Sequence, residues 1–101
     1  MGLDAILRSE NRDDLAAVPD SEMLFSRAAA TGAFSNTRLL RYLLPGDTVF
    51  TQAQAEDLRD DIRSLTCANA DTPLSRHLVA IGELVERLSS QAHSYLWFMT
   101  R

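Results

Sequence analysis

The stretch from Thr72 to Arg101, TPLSRHLVAIGELVERLSSQAHSYLWFMTR, constrains the fold of this chain more than any other. Leu74, Leu78, Ile81, Val85, Leu88, Ala92, Tyr95 and Met99 recur in steps of four and three, which sets one apolar stripe along one side of an α-helix. Thr72 carries the hydroxyl that an N-cap needs, and Pro73 suits the first helical position, where no N–H is required. A helix from Pro73 to Phe98 would be about 39 Å long, against a radius of gyration of about 13 Å for a compact domain of this size. Such a helix must be the spine of the fold, protrude from it, or pair with a second copy.

The rest of the chain reads as shorter helices. In MGLDAILRSENRDDLAAVP a helical period through Leu3, Ile6, Leu7, Leu15 and Val18 is interrupted by the polar run Arg8–Asp14, so the reading of residues 1–19 stays open, and Pro19 ends whatever precedes it. Asp20 or Ser21 caps a helix to about Thr31, with Gly32 at its C-terminal end. Ser35 or Asn36 caps the next, TRLLRYLL, whose Leu39, Leu40, Leu43 and Leu44 face inward, and Pro45-Gly46 supplies a turn. Thr48–Thr51 is too short to read as a strand on its own. It leads into a helix, since Thr51 and Gln54 have capping-box spacing and Phe50 is placed to staple onto Ala55. That helix carries a narrow stripe of Ala55, Leu58, Ile62 and Leu65.

The expected fold is therefore all-α: a single domain, residues 1–101, forming a small bundle of four to five helices with the long C-terminal helix as its spine. Its length allows a working core without metal or disulfide staples. Hydrophobic residues make up 46% of the chain, which argues against global disorder. The single cysteine, Cys67, excludes an intramolecular disulfide, and no apolar run approaches the roughly 20 residues of a membrane span. With no secretory signal pattern at the start, these features predict a cytoplasmic protein without membrane association. The net charge of −4 lies in residues 1–22, which hold six acids and two arginines. That balance opposes a general attraction to phosphates.

No convergent catalytic set is present. His77 and His93, the only histidines, stand sixteen residues apart on the long helix, so they cannot share a metal or an active site within it. Cys67 lacks the third orienting residue that a nucleophile and base require, and reads as a small buried or semi-buried side chain. Glu56, Asp57, Asp60 and Asp61 alternate with Arg59 and Arg63 and read as a solvated face. Gly82 inside the long helix reads as a close approach by a neighbouring helix. No cofactor, metal ligand set or phosphate loop is expected.

Two functional expectations follow. The first is a non-enzymatic protein of bacterial or phage type that binds another protein as an inhibitor, immunity factor, adaptor or regulatory subunit, and that forms a homodimer through Ile81, Val85, Leu88 and Ala92. Its partner-binding residues are Tyr95, Leu96, Trp97 and Phe98. Trp97 lies about 160° around the helix from Tyr95 and Met99, so it either anchors a partner or is covered by Leu3, Ile6 and Leu7 folding back. The second expectation is a DNA-binding regulator dimerising through its last helix. Residues 21–44 resemble a helix-turn-helix, whose second helix would present Asn36, Arg38 and Arg41 to bases and phosphates. Arg38 stands where that pattern wants a buried aliphatic residue.

Overall fold

The computed structural model describes residues 2–43 and 47–100. It corrects the all-α expectation. Four strands form one antiparallel sheet: β1 (Leu3–Ser9), β2 (Asp14–Val18), β3 (Thr48–Thr51) and β4 (Ser94–Thr100), in the spatial order β2-β1-β4-β3. Three α-helices accompany them, α1 (Leu24–Ala30), α2 (Ala55–Ala68) and α3 (Pro73–Ser90). The fold is a two-layer α+β arrangement rather than a helical bundle, with α3 packed on the sheet and α2 running antiparallel beside α3.

The long helix does exist, but it stops at Ser90. Thr72 caps it by accepting the Ser75 N–H at 3.2 Å, and Pro73 opens it as expected. Its end is built from residues that compete for the backbone. Ser89 Oγ donates to the Glu86 carbonyl at 2.7 Å, and Ser90 Oγ to that of Arg87 at 3.2 Å. Gln52 Nε2 reaches across to cap the Ser89 carbonyl at 3.0 Å, and His93 then turns the chain at φ 58°. Residues 94–100 emerge as β4, an inner strand between β1 and β3. Aromatic and branched side chains from Tyr95 to Met99 suit a pleated surface. The greatest extent of the fold, 34 Å, is shorter than a continuous helix to Phe98 would be.

Residues 1–19, left open by the helical period, form a hairpin. The polar run is its turn: Arg12 N–H donates to the Ser9 carbonyl at 2.9 Å and Ser9 N–H to that of Asp13 at 3.0 Å, with Arg12 itself at φ 65°. Thr48–Thr51 is a true edge strand. It also leads into a helix, because the Thr51–Gln54 capping box is present and a short 3-10 turn, Gln52–Gln54, opens α2. In α2 the expected stripe Ala55, Leu58, Ile62 and Leu65 is buried. Gly82 sits against α2 as read, with its absent Cβ pointing to Ile62 Cγ2.

Alternate residues of the sheet face the helices: Leu3, Ala5 and Leu7 of β1, Phe50 of β3, and Leu96 and Phe98 of β4 are all buried. They meet Leu78, Ile81, Leu84, Val85 and Leu88 of α3 in one core. An aromatic cluster ties the layers together, with Phe25 of α1 stacked on Phe98 at 5.4 Å and tilted against Phe34 at 4.9 Å, and Phe50 edge-on to Phe98 at 5.7 Å.

The helix expected over residues 36–44 is absent from the described part of that segment. Residues 31–39 form turns and bends, Leu40–Tyr42 is a single 3-10 turn, and Leu44 with the Pro45-Gly46 turn lies outside the described residues. The segment is built of single turns, with Thr37 bonding back to Phe34 and Leu43 already extended at ψ 121°, and Asp61 ties it to α2: its buried carboxylate accepts the N–H groups of Arg38 at 2.9 Å, Leu39 at 2.8 Å and Leu40 at 3.2 Å. Asp61 is thus not part of a solvated face. Asp20 organises the other end of the fold in the same way, accepting the Leu3, Ser26 and Phe25 amides at 3.0, 3.0 and 3.1 Å. The N-cap position of α1 is Met23, without a side-chain cap, and not Asp20 or Ser21 as expected, but Asp20 accepts two first-turn amides of that helix from four residues before it begins.

Candidate functional site

Helices cover one face of the sheet and leave the other open. On the open face the strand registers align one apolar row across all four strands: Ala17 of β2 opposite Ile6 of β1, Ile6 opposite Trp97 of β4, and Trp97 opposite Val49 of β3. With strands about 4.8 Å apart the row spans about 14 Å. Val49 is 40% exposed, Ala17 is exposed, and Ile6 and Trp97 are half-buried. A second row, Asp14, Arg8, Tyr95 and Thr51, runs beside it, and Met99 of β4 flanks it on the other side. Leu15, at the bulge between Leu7 and Arg8, adds a further 37% exposed apolar side chain.

Arg8 frames the centre. Its guanidinium carbon lies 5.3 Å above the Trp97 ring, and its Nε donates to Asp14 Oδ1 at 2.7 Å. The cation is therefore spent on the ring face and on a carboxylate, and it holds the indole in one orientation. The β1–β2 turn is fixed in turn by Glu10, whose N–H donates to the His93 carbonyl at 2.9 Å while its carboxylate stands 3.3 Å from His93 Nδ1. Ser9, Glu10, Arg12, Val49, Tyr95 and Trp97 line a cavity of about 310 Å³ at this end of the face. Its wall is half apolar, from Val49, Tyr95 and Trp97, and half polar, from Ser9, Glu10 and Arg12, and Arg12 is a cation without an ion pair among the described residues.

The sequence-based partner residues divide by strand parity. Tyr95 and Trp97 belong to the open face, whereas Leu96 and Phe98 point into the core and are fully buried. Ile6 pairs beside Trp97 on the neighbouring strand, but Leu3 and Leu7 turn into the core, so the expected cover of Trp97 by all three is not formed. Of the residues assigned to a dimer contact, Ile81, Val85 and Leu88 are buried under the sheet and Ala92 lies exposed in the turn before β4. The apolar stripe of α3 is covered by the protein's own strands and not by a second copy. Asn36, Arg38 and Arg41 do not share a helix. Arg38 pairs with Asp57 at 3.1 Å, and Arg41 lies 4.8 Å over the ring of Tyr42 and donates to its hydroxyl at 2.8 Å. Arg8, Ala17 and Val49 were not singled out from sequence, and Ile6 was named only as cover for Trp97; the alternation Leu3, Ala5, Leu7 against Asp4, Ile6, Arg8 is the signal that marks the two β1 positions.

A second cavity, of about 490 Å³, is lined by Asp20, Ser21, Glu22, Arg76 and His77 among others. His77 Nε2 is buried 3.9 Å from Asp20 Oδ1, beyond hydrogen-bond reach, and no hydrogen bond joins Ser21 to His77 among the described residues. Burial alone would raise the Asp20 pKa, but the Leu3, Ser26 and Phe25 amides together with His77 outweigh it and hold the carboxyl below its ordinary value. With its oxygens taken by three amides, Asp20 is committed to holding β1 to α1. Cys67 is exposed, contrary to its expected burial, and stands apart from this cavity. Among the described residues no group of three His, Cys, Asp or Glu side chains is placed to hold a metal ion, and no helix is long and apolar enough to cross a membrane. Comparison with protein-family models, with curated proteins and with solved structures finds no match for this chain.

Proposed function

We propose that this protein acts by binding another protein, as an inhibitor, immunity factor, adaptor or regulatory subunit, and that it does so through the open face of its sheet. One observation carries the reading: the row Ala17, Ile6, Trp97 and Val49 crosses all four strands on a face that none of the described helices covers. A monomer gains little from holding a tryptophan in that row, about 1 kcal/mol on the scale of cross-strand pairs, whereas the same ring on the other face would enter the core. A partner does gain, because a fixed aromatic side chain buried at an interface is the usual source of a few dominant kilocalories. The cavity beside Trp97 offers Val49, Tyr95 and Trp97 to an aliphatic or aromatic side chain of the partner, with Glu10 and Arg12 providing charges of both signs around that anchor.

The test is capture from extracts of the native host with wild-type protein, Val49→Asp and Trp97→Ala as parallel baits. A specific protein retained by the wild type and lost from both variants supports the reading. Equal recovery by all three baits contradicts it.

A further inference from the structure

The outer surface of the helix layer carries a second, independent feature. Arg59, Arg63, Val79, Gly82, Glu83 and Glu86 border a cavity of about 310 Å³ along the groove between α2 and α3. Ile62 forms its floor, and Gly82, with no side chain, keeps it open. Val79 is 52% exposed, the most exposed large hydrophobic side chain in the described α-helices. The charges at the borders are sorted by helix: the α2 side is basic and the α3 side acidic. Arg59 and Glu86 close one end with a bidentate pair, at 2.6 and 3.2 Å. Arg63 and Glu83 are exposed and have no ion pair among the described residues.

We infer that this groove binds a second copy of the chain, giving a twofold dimer with a four-helix interface. A closed dimer requires a self-complementary surface, in which each residue meets its own counterpart or exchanges contacts with another. A twofold axis laid along the groove satisfies this. It places α2 of one copy over α3 of the other, so the basic border meets the acidic one and Arg63 faces the partner's Glu83, twice. Near the axis Val79 meets the partner's Val79 over the gap left by Gly82. One step further out the signs reverse and still match, with exposed Asp60 on α2 and exposed Arg87 on α3. A heterologous partner helix would require neither the sorting of charge by helix nor this matching.

The area is small. The 14 residues of α2 make the groove about 21 Å long, and two helices about 10 Å apart make the surface about 20 Å wide. Each copy thus contributes roughly 400 Å² in projection, close to the lower bound of about 1,000 Å² total for a specific contact once side-chain relief is counted. The dimer is accordingly weak, in the micromolar range. It leaves both sheet faces pointing away from the contact, free for the partner proposed above, so the two surfaces can be tested separately.

Sedimentation equilibrium of the full chain at tens to hundreds of micromolar decides it. The wild type should approach the mass of two chains. Val79→Glu sets two like charges at the axis and should give a folded monomer, as should Arg63→Glu and Glu83→Arg singly, since each leaves like charges facing. The double swap, Arg63→Glu with Glu83→Arg, restores opposite signs and should restore the dimer, a recovery that simple damage to the fold would not produce. Trp97→Ala should leave the dimer unchanged. A wild-type monomer throughout that range overturns the inference, and so does a dimer that survives Val79→Glu and both single reversals.

Discussion

Asp61 of α2 and Leu39 are joined by a 2.8 Å hydrogen bond from a backbone N–H to a buried carboxylate, across twenty-two positions of sequence. The same carboxylate takes the amides of Arg38 and Leu40, so one side chain supplies the acceptors for three successive amides of a loop whose own backbone bonds are single turns. Asp61→Ala would leave those donors in a site that is 4% exposed. We expect a loss of about 3 kcal/mol in urea-induced unfolding, since each unpaired buried donor costs about 1–3 kcal/mol and part of the loop can relax toward water. Asp60→Ala, one residue away and exposed, should stay within about 0.5 kcal/mol of wild type.

Asp20 gives the fold an acid limit. Its folded pKa lies below the ordinary value of 3.8: desolvation acts to raise it, and the backbone hydrogen bonds from Leu3, Ser26 and Phe25 with His77 nearby outweigh that. A depressed carboxyl contributes stability that is fully present above its unfolded pKa and is lost as pH falls through the folded one. Melting temperature should therefore fall as pH drops below about 4. Asp20→Asn should melt lower than wild type at neutral pH and show a shallower fall on acidification. An unchanged acid limb would show that other carboxylates set it.

Two glycines should respond in opposite directions to alanine. A Cβ on Gly2 would collide with the carbonyl oxygen of Asp20, on the segment that binds β1 to α1, so Gly2→Ala should lose about 1–3 kcal/mol. A Cβ on Gly82 would meet only Ile62 Cγ2, at 3.4 Å, which is ordinary contact for a side chain that can give slightly. There the helix propensity of alanine, worth up to about 1 kcal/mol over glycine, should win. Thermal unfolding of Gly82→Ala in dilute solution should show a rise of a few degrees.

The helices were legible in the sequence because their signals are local. The Thr72 cap with Pro73, the Thr51–Gln54 capping box and the stripe Ala55, Leu58, Ile62 and Leu65 all lie within a few residues of what they specify. The strands were not legible, for different reasons. Residues 95–99 of β4 are apolar throughout, so they show no alternation, and Tyr95 and Met99 happen to extend the four-residue spacing of α3. The β1–β2 turn contains no glycine and places Arg12 at positive φ, so the commonest hairpin signal is missing. Asp20 and Asp61 act on amides as much as seventeen and twenty-three positions away, a relation that no local pattern reveals. Trp97 was picked out for pointing away from a helical stripe. Its position on the open face follows instead from strand parity, which also sends Leu96 and Phe98 to the core.

The open face of the sheet as the place where a partner binds is the central claim, and titration calorimetry of the captured partner against wild type and Trp97→Ala tests it most directly. Trp97 is half-buried between Ile6 and Val49, so its removal should cost only about 1 kcal/mol of folding stability, the scale of cross-strand pairs. As an interface anchor it should cost about 2 kcal/mol or more of binding, a rise in Kd of about thirtyfold. An unchanged Kd with a variant that remains folded would contradict the claim.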